Sequence, residues 1–143
     1  PVERTYRLVV QELPPAQAPA TRSGVNLLSR FVIPVFISPA APAESKRIES
    51  LELVERKFVF HLRNTGNVHV RPRAIVAEAR SGEGERLFGH TWDGWYVLAG
   101  GERIYAVDIP ERACARVRAL TVEVQDADRV LREELRTPKG ACR

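Results

Sequence analysis

The sequence has no methionine, two cysteines and three lysines, and each scarcity excludes something. Without a methionine the chain is not expected to begin where translation begins. Its first residues, Pro1-Val2-Glu3-Arg4-Thr5, lack the basic-then-apolar pattern of a secretion signal. The chain therefore reads as a piece processed, truncated or excised from something longer. No run approaches the roughly 18–20 apolar residues of a transmembrane helix. The most apolar stretch, Val25 to Ile37, is interrupted by Asn26, Ser29, Arg30 and Pro34, so no membrane span is expected. Cys114 and Cys142 stand without any Cys-x-x-Cys pair, which excludes a zinc knuckle. They leave two readings open, a disulfide or two free thiols.

Few lysines do not mean little positive charge. Most of the 22 basic residues are arginines; against 18 acids they give the chain a net charge of +4, and the pI is about 9.5. The bases are interspersed with acids, as in Glu49-Ser50-Leu51-Glu52-Leu53-Val54-Glu55-Arg56-Lys57, and no block of five like charges occurs. A nucleic-acid partner is therefore not expected; the arginine excess reads as coding-composition background on a mixed-charge surface.

Catalytic signatures are missing too. There is no GxGxxG, Walker, HExxH, GxSxG or CxxC pattern. No nucleophile, base and oxyanion donor assemble, so an enzyme is not expected and no cofactor is implied. His61 and His69 flank the Asn64-Thr65-Gly66-Asn67 turn; a metal pair is one reading, two ordinary strand histidines the other. The Trp92, Trp95 and Tyr96 cluster is a candidate sugar-stacking platform or a shield at the end of a core.

What the sequence does contain is β-pattern. In residues 2–13, Tyr6, Leu8 and Val10 share one face of a strand that Pro14-Pro15 stops. A Pro/Ala/Ser/Gly loop over 14–24 leads into 25–37, apolar at every odd position but Ser29 and at Leu28, Val32 and Phe36. That argues for a long strand buried on both faces. Pro34 places it at a sheet edge or at a bulge. Residues 39–47 read as a linker.

Short strands follow: 48–53, 57–62, 68–71, 73–79, 86–90, 94–98, 102–109 and 117–124. Residues 130–135 close the chain as a strand, with a helix over 127–136 as the alternative. An all-β, immunoglobulin-like sandwich over 48–143 is the expected fold.

The order of these features resembles the periplasmic chaperones of pilus (fimbrial) assembly. The similarity is carried by Arg4-Thr5-Tyr6-Arg7-Leu8, Glu12-Leu13-Pro14-Pro15, and Leu27-Leu28-Ser29-Arg30-Phe31-Val32-Ile33-Pro34-Val35-Phe36-Ile37-Ser38-Pro39. Asn64-Thr65-Gly66-Asn67-Val68-His69-Val70-Arg71 is similar to a turn in the second domain of the archaic, spore-coat-U-type branch.

That family has two immunoglobulin-like domains. The resemblance implies that residues 1–38 are the F and G strands of an incomplete first domain, and that 48–143 are the second. It implies a periplasmic address, which favours the disulfide, and pilus subunits and an outer-membrane usher as partners. It also implies donor-strand complementation, in which the G strand fills the gap in an incomplete subunit. Each apolar side chain so buried contributes roughly 1.5–3 kcal/mol before ordering costs.

Carried over residue by residue, Val25, Leu27 and Ser29 fall at donor positions, with Leu28 and Phe31 next in line. The family holds a subunit's terminal carboxylate with two bases. One lies on a strand outside this chain. Pro34 stands at the other position, and Arg30 is the nearest replacement, or else a solvated strand arginine. An exposed strand 25–37 is also expected to self-associate or to fold against the second domain. A general immunoglobulin-like adhesion or glycan-binding module is the alternative function.

Overall fold

The computed structural model describes residues 1–14, 27–139 and 141–142. It is all-β, with nine strands and one helical turn among these residues. β1 (Arg4–Gln11) and β2 (Arg30–Ile37) form a two-stranded sheet of their own. β3 (Lys46–Val54), β4 (Lys57–Asn64) and β7 (Glu102–Asp108) form a second sheet, in the order β3-β4-β7. β5 (Ala74–Arg80), β6 (Arg86–Asp93), β8 (Ala119–Gln125) and β9 (Val130–Arg136) form the third, in the order β6-β5-β8-β9. All pairings are antiparallel.

The last two sheets make the sandwich because alternate residues of their central strands are apolar. Phe58, Phe60 and Leu62 of β4 are buried, as are Ile75, Ala77 and Ala79 of β5 and Leu120, Val122 and Val124 of β8. All of them belong to one buried cluster. Phe60 is the centre: it stacks on Tyr105 with centroids 5.1 Å apart and meets the edge of Trp92 at 5.6 Å. Trp92 thus belongs to the core and lies within β6, where the pattern predicts a break between two strands.

Other boundaries also moved. Residues 68–71, read as a strand, contribute a single bridge, Val70 to Val97, which is all that pairs in 94–98 as well. β3 begins at Lys46, inside the predicted linker. Residues 130–136 are a strand; pairing with β8 outweighs their helix propensity. The four-residue helix α1 (Glu111–Cys114) was not legible, being too short to show a period. It carries Cys114, whose disulfide to Cys142 closes a loop of sequence separation 28 and settles the two readings of the cysteines. No helix among the described residues is long and apolar enough to cross a membrane.

Two predictions follow from this core. A loop of this length loses about 3–4 kcal/mol of chain entropy when cross-linked. Dithiothreitol is therefore expected to lower the thermal midpoint by several degrees, read by circular dichroism. The second concerns Tyr105, whose hydroxyl is buried with no hydrogen-bond partner among the described residues. Burial raises its pKa from the ordinary 10.0, and the nearby Arg103 only partly opposes this. The folded protein keeps this proton where the unfolded chain releases it. Tyr105's contribution is therefore complete below about pH 10 and is lost as pH rises through the raised value. Tyr105→Phe is expected to cost little at pH 7 and to flatten the fall in stability above pH 10, checked by thermal melts from pH 7 to 11.

Candidate functional site: an unpartnered hairpin and the cleft beside it

The β1–β2 register runs without a bulge from Arg4 opposite Ile37 to Gln11 opposite Arg30. Residues directly opposite each other share a face. One face therefore gathers Tyr6, Leu8 and Val10 with Phe31, Ile33, Val35 and Ile37, and all seven are exposed. The other gathers Thr5, Arg7, Val9 and Gln11 with Arg30, Val32, Pro34 and Phe36, and it is the face that leans on the sandwich. The prediction that strand 25–37 would be buried on both faces is thus not met in this chain. A two-stranded sheet has too few neighbours to cover either face fully.

The hydrogen-bond phase of the hairpin decides which amides are free. The Glu12 N–H donates to the Ser29 carbonyl at 2.9 Å. The Ser29 N–H donates to the Glu12 carboxylate at 3.1 Å rather than to its carbonyl. The ladder therefore ends there, and β2 starts at Arg30 instead of 25. Hydrogen-bonded and non-bonded pairs alternate along an antiparallel ladder. Counting from Glu12 and Ser29, the backbone groups of Arg30, Val32, Pro34 and Phe36 point to the outer edge of β2, away from β1. Pro34, with no N–H, consequently costs the ladder nothing; it leaves a gap in the free edge. This is the edge position that its presence predicts, with no bulge.

The predicted site residues fall along this edge. Val25 lies outside the described residues. Leu27 is 86% exposed in the segment leading to β2, and Leu28 is exposed beside it. Ser29 pairs with Glu12 as above. Arg30 opens β2 opposite Gln11. Phe31 sits opposite Val10 on the apolar face, 60% exposed. The structure brings Phe31 together with the other apolar residues of that face. It leaves Arg30 on the opposite face, about 20 Å along the strand from Phe36.

Sequence reasoning missed what holds the hairpin. Glu3, just before β1, is buried, and its carboxylate accepts from the His69 backbone N–H at 3.0 Å. It also accepts from the His69 Nδ1 at 2.9 Å. The imidazole stacks on Phe36 of β2, with centroids 3.8 Å apart, and Phe36 meets the edge of Tyr96. One histidine of the sandwich therefore grips both ends of the hairpin's base. His61 pairs instead with Glu102 at 2.9 Å, so each histidine has a carboxylate partner of its own. Among the described residues no group of three or more His, Cys, Asp or Glu gathers.

The Asn64–Asn67 turn does related work. Asn64 is buried and its amide holds the Val68 and Val97 carbonyls. The Asn67 side chain accepts from the Ala43 N–H at 2.7 Å and donates to the Ala41 and Pro1 carbonyls. Its own carbonyl accepts from the Glu3 N–H at 2.8 Å. Gly66 lets the linker pass so closely that a Cβ there would collide with the Ala43 carbonyl. A sequence signal existed, since two asparagines and a glycine bracket a turn. Several of their partners, however, lie more than twenty residues away: Val97 for Asn64, and Pro1, Ala41 and Ala43 for Asn67.

Between the hairpin and the sandwich lies a cleft of about 420 Å³. Val32, Pro34 and Phe36 form its apolar wall, and His69, Trp95 and Tyr96 its other side. Arg7 and Arg71 reach it from opposite elements. Neither forms an ion pair among the described residues. Trp95 is 53% exposed and stacks on Tyr96. A scan against protein-family models finds no match for this sequence, and a comparison with curated proteins finds none.

Removing the buried carboxylate strands the His69 N–H, a loss of about 1–3 kcal/mol. Glu3→Ala is expected to speed exchange of the ladder-bonded amides of the hairpin, those of Tyr6, Leu8, Val10, Phe31, Ile33 and Val35, by roughly tenfold or more. The amides of β4, β5 and β8 should be unchanged. Equal acceleration of both groups would show that the contact supports the whole fold rather than the hairpin.

Proposed function

We propose that the chain belongs to a periplasmic chaperone of pilus subunits that works by donor-strand complementation. The observation that carries the reading is the outer edge of β2. It presents free backbone groups at Arg30, Val32 and Phe36 beside apolar side chains on both faces of the strand. An incomplete sandwich can add such a strand. The main-chain bonds supply affinity and the alternate side chains supply register. The contrast with β9, the edge of the four-stranded sheet, supports it. β9 carries Arg132, Glu133, Glu134 and Arg136, charges that discourage pairing, whereas β2 between Arg30 and Ile37 carries none.

In this reading Leu27, Ser29 and Phe31, with Val25 before them, enter the subunit. Arg30 was the expected carboxylate anchor. Arg7 and Arg71 are better placed, because both face an apolar cleft and neither is already paired. Two guanidinium groups against an apolar wall suit a chain terminus bearing a carboxylate. The Cys114–Cys142 disulfide fits an oxidising periplasm. The hairpin is the remnant of the first domain, and the usher would receive the loaded complex. Nothing in the role calls for catalysis or a cofactor.

A second reading, a glycan-binding surface module, is favoured by the Trp95–Tyr96 stack beside Arg71. The two separate in one experiment. A pilus subunit lacking its last strand is captured on wild type, Leu27→Asp, Arg30→Ala and the Arg7→Ala/Arg71→Ala pair. The chaperone reading expects capture to fall at least tenfold for Leu27→Asp and for the double variant, and little for Arg30→Ala. Undiminished capture by Leu27→Asp removes the donor strand from the proposal. Glycan binding that disappears in Trp95→Ala, with no subunit capture by any form, supports the second reading.

A further inference from the structure

An edge strand that must stay open to a partner must also be kept from pairing with its own copy. β2 is eight residues long, regular in register and without charge after Arg30. Among the described residues it has a strand on one side only. Natural edges are protected by charge, a bulge, shortness or proline. β9 has charge; β2 has Pro34 alone.

The position of that proline decides what it does. Pro34 stands opposite Arg7, at a non-bonded pair of the β1 ladder. At Phe31, Ile33 or Val35 a proline would have taken a bond from the hairpin. At 34 it takes a donor only from the outer edge, where the other outward residues are Arg30, Val32 and Phe36. Its ring also fills the place where the amide hydrogen would stand. Two β2 edges related by a twofold axis pair antiparallel, with Arg30 facing Phe36 and Val32 facing Pro34. Symmetry then repeats the gap. The Val32 carbonyl of each copy meets the ring of the other, and two acceptors are left unpaired between the strands. Within β2, every twofold register that joins three or more outward residues includes Pro34. A strand of different sequence meets the gap once, and it can bulge there or turn that one carbonyl to water.

We infer that Pro34 sets the specificity of the β2 edge: it excludes a second copy of this strand and leaves the edge to a strand of different sequence. This role rests on the donor-strand reading, in which the β2 edge is the one a whole chaperone leaves open, whatever strands cover the faces of the hairpin. It gives that reading a reason for the strand to remain available to a subunit rather than to itself.

The test moves the gap. Pro34→Val restores the amide. Val32→Pro combined with Pro34→Val returns a gap to the same edge, again at a non-bonded pair, opposite Val9. The whole chain is followed by sedimentation equilibrium from 1 to 100 µM and by hydrogen exchange of the amides at 32, 34 and 36. Pro34→Val is expected to self-associate at a concentration at least tenfold below wild type, with those amides newly protected. The double variant is expected to return to the wild-type value. Pro34→Ala repeats the measurement should valine disturb the fold, which circular dichroism reports. No added association in either single variant overturns the inference. So does association that leaves the edge amides unprotected, because it then uses another surface, or association that persists in the double variant. Subunit capture by wild type is measured alongside. Its absence removes the donor-strand reading, whereas the association and exchange results decide the role of Pro34.

Discussion

The buried carboxylate of Glu3, held by the backbone and ring of His69, is the contact on which the rest of the molecule's functional geometry depends. A carboxylate out of water is tolerated only when its oxygens are satisfied. Both are satisfied here by a single residue sixty-six positions away. Because the same imidazole stacks on Phe36, the start of β1 and the end of β2 are fixed together. The hairpin is thereby given one orientation. One of its faces turns toward the sandwich and makes a cleft, the other turns to solvent, and the outer edge of β2 stays open.

A two-stranded sheet is marginal by itself, so its persistence has to come from elsewhere. Asn67 supplies much of it, joining residues 1–3, the segment 41–43 and the turn through side-chain and backbone bonds. These bonds involve backbone groups of irregular chain, which would otherwise be unpaired. The sandwich below is stable for a different reason, the mutual packing of Phe60, Tyr105 and Trp92 against one buried apolar cluster. The two parts are thus held by different physics. The hairpin depends on polar contacts at its base, and the sandwich on packing throughout.

This division explains why the molecule carries a large apolar surface on one part only. In the sandwich, edge strands are charged or short. In the hairpin, the alternation that normally marks a core face is complete, but its other half is not present among the described residues. Binding energy is therefore stored as exposed apolar area and unpaired backbone, both of which a partner removes from water at once. The proposed role for the β2 edge draws on that store.

The sequence by itself determined the strands and their faces. Period-two alternation in Tyr6, Leu8 and Val10, and in Phe58, Phe60 and Leu62, is a local property, and burial follows from it. It also showed that Pro34 belongs at an edge or a bulge, because proline lacks the donor. The tertiary structure alone decided which edge that is, since the hydrogen-bond phase is set by one pairing, Glu12 with Ser29. It alone paired Cys114 with Cys142, placed β8 beside β5, drew Trp92 into the core, and left Arg30 at the far end of β2 while Arg7 and Arg71 met at the cleft. Those outcomes are contacts between residues far apart in the chain. No local pattern encodes them, because each depends on where the rest of the chain has already packed.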